Sequence, residues 1–121
     1  MDKLLRQFYT TKLYIDISFA DEAQVALLED ILNVKWSSGP RLSYKTQHYK
    51  NSRCYIYTNF IDSSATDHEI ERRLKLADNV VYKTQIPSQH TQIMKIQEFI
   101  DYFGVTTLKP VSETEIEVLW G

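Results

Sequence analysis

Two hydrophobic periods meet early in this chain, and their junction constrains the fold more than any other feature. From Thr11 to Ser18, Leu13, Ile15 and Ile17 alternate with Lys12, Tyr14, Asp16 and Ser18. A period of two puts the aliphatic side chains on one face of a strand. The period then changes. Val25, Leu28 and Leu32 are spaced i, i+3 and i+7, and Leu27, Ile31 and Val34 widen the same stripe. Glu22, Glu29 and Asp30 supply the wet side. Asp21 stands in the N-cap position, and Gln24 completes a capping box three residues later. The spacing predicts a helix to about Asn33. A strand and a helix with one apolar face each must stack in layers to bury those faces.

The remaining chain extends this pattern. Val34 to Ser37 reads as a short strand ended by Gly39-Pro40. Pro40 to Ser52 is polar and without a sustained period, so it reads as a loop or an irregular strand with a long turn. Loops of this length are often functional. Arg53 to Ile61 is a strand with Cys54, Ile56, Thr58 and Phe60 on one face. Tyr55, Tyr57, Asn59 and Ile61 take the other. Asp62-Ser63-Ser64 is turn chemistry. Asp67 caps a polar helix over 67–77, with Ile70 and Leu74 on its packed side. Val80 to Ile86 is a strand stopped by Pro87. Ser88 or Thr91 caps a second long helix that ends near Phe103. Its stripe is Ile93, Ile96, Ile100 and Phe103, with Phe99 beside it, and Gly104 is placed for a left-handed C-cap. Glu115 to Trp120 alternates as a final strand, and residues 2–9 open with a short helical turn.

These elements predict an α+β fold. The expected form is a two-layer sandwich: a mixed or antiparallel sheet of about four or five strands with two main helices packed on it. A split βαβ arrangement is the nearest simple topology. A length of 121 residues fits one domain, and 43% hydrophobic with 25% charged residues supports a core without disulfides or metal.

Charge and composition exclude several functions. The net charge is −2, and Arg6, Arg41, Arg53, Arg72 and Arg73 are scattered among acids, which disfavours nucleic-acid binding. The lone cysteine, Cys54, cannot form an internal disulfide. No apolar run approaches the roughly 18 residues of a membrane span, and residues 1–7 lack a signal-peptide pattern. A cytoplasmic protein is expected. Three glycines in the chain argue against Gly-rich phosphate loops.

Catalytic constellations are equally absent from the linear pattern. His48, His68 and His90 are far apart, with no local partner for a metal. Cys54 lies inside the best strand, where a buried, inert thiol is expected. Glu69 and Glu71, or Glu113, Glu115 and Glu117, read as solvated faces. No catalytic residue, metal ligand or cofactor site is expected.

Binding chemistry is better represented. Tyr55 and Tyr57 share a strand face with Asn59, so two rings and an amide line one surface. Aromatic faces stack on nucleobases, and an amide reads their edges. Arg72-Arg73 with Lys75 forms a local positive patch suited to phosphate. The same tyrosines also suit packing at a subunit interface.

One resemblance adds to this reading. The segment Val34-Lys35-Trp36-Ser37-Ser38-Gly39 follows the first long helix, and Cys54-Tyr55-Ile56-Tyr57-Thr58-Asn59 follows after a spacer. Over about residues 12–60 this pattern resembles a group of small phage-encoded proteins, some of which are similar to anti-Thoeris sponge proteins. Those sequester a cyclic ADP-ribose signal made by bacterial TIR-domain immune enzymes. The resemblance implies a counter-defence protein that grips a nucleotide-like ligand, of cyclic ADP-ribose or cyclic dinucleotide type, without cleaving it. Tyr55, Tyr57 and Asn59 would hold the base, and Arg41, Arg53, Arg72 or Arg73 would meet phosphates. Trp36 would buttress the wall. Two alternatives stay open: an inhibitor or adaptor that covers a host protein, and a nucleotide hydrolase. Self-association through the Tyr-rich strand is also open.

Overall fold

Five short strands hydrogen-bond into one mixed sheet in a computed structural model that describes residues 2–10, 12–58, 61–76, 78–86 and 92–108. The strands are β1 (Tyr14–Asp16), β2 (Val34–Trp36), β3 (Tyr55–Tyr57), β4 (Asp78–Lys83) and β5 (Ile93–Lys95). Their spatial order is β2-β4-β3-β1-β5. β1 runs parallel to β5 and antiparallel to β3, β3 is antiparallel to β4, and β4 is parallel to β2. β1 and β2 therefore point the same way with β3 and β4 between them, which is the split arrangement expected from the sequence. The Tyr-rich strand β3 is internal, bonded to β1 on one side and β4 on the other. It offers no free edge, so self-association through it would have to use its side-chain face.

Among the described residues four α-helices join the strands: α1 (Lys3–Tyr9), α2 (Glu22–Leu32), α3 (Asp67–Leu74) and α4 (Ile96–Leu108). The α2 capping box forms as its sequence dictates, with Asp21 accepting from the Gln24 amide and Gln24 reaching back to the Asp21 amide. Asn33 ends the helix in the left-handed region at φ 52°, a conformation asparagine tolerates better than most residues. α3 is capped by Thr66 rather than Asp67, again through a capping box, here with Glu69.

Sheet register sorts the side chains into two faces. Ile15 pairs with Ile56 and Met94, Ile56 with Tyr82, and Trp36 with Val80. The aliphatic members of this face pack in one cluster with Leu4 and Phe8 of α1, Val25, Leu28 and Leu32 of α2, Ile70 of α3 and Phe99 of α4. The helices thus cover one side of the sheet, and α2 packs directly on α4. Tyr9 anchors α1 to the end of α2 through a buried hydrogen bond from its hydroxyl to the Leu32 carbonyl.

The loop from residue 37 to 54 is ordered by buried polar contacts. Gly39, at φ 113°, closes a tight turn by donating to the Trp36 carbonyl, and the Trp36 amide donates to Pro40 O at 3.0 Å. Two 3₁₀ turns follow, Leu42–Tyr44 and Thr46–His48. The buried Glu29 carboxylate accepts from Arg41, from the Leu42 amide and from the Ser43 hydroxyl. Trp36 Nε1 donates to Leu42 O, and the Tyr49 hydroxyl donates to Ser43 O.

Four expectations need correction. Glu29 does not lie on the wet side of α2: it is buried, because its carboxylate serves Arg41, Leu42 and Ser43. Ile93 belongs to β5, not to the helix stripe, and α4 begins only at Ile96. Gly104 lies inside α4 instead of ending it, and the helix continues to Leu108. β1 and β3 are shorter than the alternation suggests, and β4 runs from Asp78 to Lys83 instead of from Val80 to Ile86. The expected caps Ser88 and Thr91, the stop at Pro87, Phe60 and the strand Glu115–Trp120 lie outside the described residues.

Candidate functional site

The second face of the sheet carries polar and aromatic side chains. Asp16 pairs with Tyr55 on β3 and with Lys95 on β5. Tyr55, Asp16 and Lys95 therefore form one row across three adjacent strands, spaced by the strand separation of about 4.8 Å. This row is the floor of a cleft of about 320 Å³ whose walls include Arg53, Ser18 and Phe19. Arg53 precedes Tyr55 by two residues and so shares its face. Its Nη1 donates to the Tyr55 hydroxyl at 3.4 Å.

Local structure fixes each wall. The Ser18 hydroxyl accepts from the Cys54 amide at 2.8 Å, extending the β1–β3 pairing by one step. Asp16 Oδ1 accepts from the Ser18 amide at 2.9 Å. A turn then closes from Ala20 N to Ile17 O. Phe19 occupies the third position of that turn at φ 57°, where glycine or asparagine is the usual residue. The left-handed conformation costs a β-carbon-bearing residue about 1–2 kcal/mol. Its amide is anchored to Tyr49 O at 2.7 Å and Ser52 O at 3.3 Å, yet the residue is 64% exposed.

Two cations, one carboxylate, a phenol, a hydroxyl and an exposed ring thus converge. Neither Arg53 nor Lys95 forms an ion pair among the described residues. Phosphate oxygens suit the guanidinium and the ammonium, sugar hydroxyls suit a carboxylate acceptor, and a planar group suits Phe19. Among the described residues that line it, the cleft holds one carboxylate and no histidine or cysteine. Acid–base catalysis by paired carboxylates or histidine has no visible partner there.

The other residues singled out from the sequence are dispersed. Tyr57 lies on the same face as Tyr55 but stacks on Tyr14 at 5.1 Å, with Lys83 Nζ 5.7 Å from its ring centroid. Arg41 is engaged by Glu29, through Nε to Oε2 and Nη2 to Oε1, both at 3.2 Å. The paired carboxylate raises its pKa. Arg72 and Arg73 occupy the last turn of α3, whose Ile70 packs into the core beneath the helices, on the far side of the sheet from the cleft. Trp36 is buried, with His48 and Tyr82 against it at 4.9 and 5.7 Å. Burial, then Lys45, lowers the pKa of His48. Asn59 lies outside the described residues.

Asp16, Phe19 and Lys95 escaped the sequence reading. Asp16 carried a weak signal, as a polar member of an alternating strand. Among the described residues no group of three histidine, cysteine or carboxylate side chains converges for a metal, and no helix is long and apolar enough to cross a membrane. Neither a known family nor a curated protein nor a solved structure matches this chain.

Proposed function

We propose that this chain is a non-catalytic binding protein that sequesters a small phosphate-bearing ligand of nucleotide kind, acting as a phage counter-defence sponge for a nucleotide immune signal. One observation carries the reading: the row Tyr55–Asp16–Lys95, with Arg53 on its rim, places two cations around a central carboxylate. A bare anion would meet repulsion from Asp16. A phosphate ester with neighbouring hydroxyls satisfies both signs at once, since its phosphate meets Arg53 and Lys95 while a hydroxyl donates to Asp16. Among the described residues that line the cleft, the lack of a second carboxylate and of any histidine favours capture over turnover. The resemblance of the 34–39 and 54–59 segments to a group of small phage-encoded proteins, some of them similar to sponge proteins, supports the sequestering role.

Calorimetric titration of the intact chain with AMP, ADP, cyclic ADP-ribose and a cyclic dinucleotide tests this. At least one is expected to bind, with a loss of tenfold or more in Arg53→Ala and in Lys95→Ala. Bound ligand released by heat should return unaltered on chromatography. Failure of every probe to bind, or recovery of fragments, overturns the reading.

A further inference from the structure

Phe19 combines two features that folding alone disfavours. Its backbone sits at φ 57°, and the residue is 64% exposed. Glycine at the same position would relieve the backbone strain and remove exposed apolar surface. Strained residues of this kind cluster where a ligand is gripped. Phe19 borders the cleft beside Arg53 and Tyr55. Two backbone hydrogen bonds, to Tyr49 O and Ser52 O, hold its amide and therefore fix where the ring departs from the turn.

We infer that Phe19 is the stacking platform of the cleft and makes it select ligands that carry a planar aromatic ring beside their phosphate. The inference rests on the cleft reading above and adds the part of the ligand that phosphate and sugar contacts leave undefined. The ring lies against Phe19 while the phosphate reaches Arg53 and Lys95. Base–aromatic stacking distinguishes a nucleotide from the same sugar phosphate without its base by roughly 5- to 150-fold, the equivalent of about 1–3 kcal/mol. The turn is thus held in a disfavoured form that presents the ring.

Titration of the full chain and of Phe19→Gly with AMP and with ribose 5-phosphate, alongside thermal melts of both proteins, tests this. The native chain should bind AMP more tightly than ribose 5-phosphate, by about 5-fold or more. In Phe19→Gly that advantage should vanish while ribose 5-phosphate binding holds within about twofold. The variant should also melt about 2–4 °C higher, because the strain is gone. Phe19→Trp should keep the advantage and Phe19→Leu should lose most of it. Equal affinity for the two probes in the native chain overturns the stacking role but leaves the phosphate cleft standing. An unchanged preference in Phe19→Gly does the same. Failure of both probes to bind overturns this inference, and the cleft reading falls with it only if ADP, cyclic ADP-ribose and the cyclic dinucleotide fail as well. A fall in melting temperature for Phe19→Gly means the ring is held by packing, which also overturns it.

Discussion

Glu29 clasps Arg41 with both carboxylate oxygens, at 3.2 Å each, from a position on α2 that is almost fully buried. The same carboxylate receives the Leu42 amide and the Ser43 hydroxyl. One side chain therefore fixes the path of the chain through Arg41, Leu42 and Ser43. Glu29→Ala is expected to destabilise the fold by about 2–3 kcal/mol, since it strands a buried amide and removes charge-assisted bonds. Arg41→Ala should cost less, because the amide and the hydroxyl still serve the carboxylate, and it should leave nucleotide binding unchanged. Urea midpoints at constant slope measure the first effect. A binding loss in Arg41→Ala comparable to that of Arg53→Ala would show that Arg41 reaches the ligand.

Asp67 is the helix cap expected from the sequence, and the fold gives that role to Thr66. Thr66 accepts from the Glu69 amide, while Asp67 meets Arg6 at 2.7 Å in a pair open to solvent. Thr66→Ala should cost about 1 kcal/mol. Asp67→Ala should cost no more than about 0.5 kcal/mol. Equilibrium denaturation of the two variants ranks them, and a larger loss for Asp67 would contradict the assignment of the cap.

Cys54 reports on opening of the sheet. Its side chain is buried, and burial followed by the nearby Asp16 pushes its thiol pKa up to about 12. The thiolate is the reactive form. A thiol-reactive dye at pH 7.5 should leave the native chain unlabelled over the time that labels the urea-unfolded chain fully. Rapid labelling without denaturant would mean that β3 opens locally.

Three groups, Tyr49, Cys54 and His48, contribute to the dependence of stability on pH. Burial, with smaller effects from Glu22, Glu29 and Asp21, raises the Tyr49 hydroxyl to about 12, and Cys54 lies at a similar value. Both are neutral in the fold and ionise more readily in the unfolded chain. Their contribution is complete below about pH 9 and is lost as pH rises toward 12. His48 behaves oppositely, since its pKa is lowered in the fold. Its contribution is present above about pH 6.5 and is lost as pH falls below that value. The urea midpoint should therefore be highest between about pH 7 and 9. His48→Gln should flatten the first part of the acid limb. A midpoint that climbs from pH 9 to 11 would contradict the neutral, buried state of Tyr49 and Cys54.

The architecture was legible where a period persisted over several residues. Leu13, Ile15 and Ile17 and the α2 stripe announced which faces meet, and the Asp21–Gln24 box marked the helix start. β5 was hidden because Ile93, Ile96 and Ile100 are also spaced as a helix stripe, and no turn residue separates the strand from α4. The cleft was half visible. Arg53 and Tyr55 share a strand face and could be read together. Asp16 and Lys95 come from strands far apart in the chain, and register alone makes them neighbours. Phe19 was invisible for another reason: local rules assign glycine or asparagine to its backbone conformation, so a large ring there breaks the pattern that sequence reading relies on.

The turn after β2 has a consequence for how copies of this chain behave in a crowded solution. Folding back through Gly39 and Pro40, it occupies hydrogen-bonding groups on the outer rim of β2, with Lys35 bridged to Arg41. A foreign strand cannot template onto a rim already taken by its own polypeptide. Replacing Gly39, at φ 113°, with a β-branched residue would strain that turn and open the rim of β2 to edge-to-edge pairing.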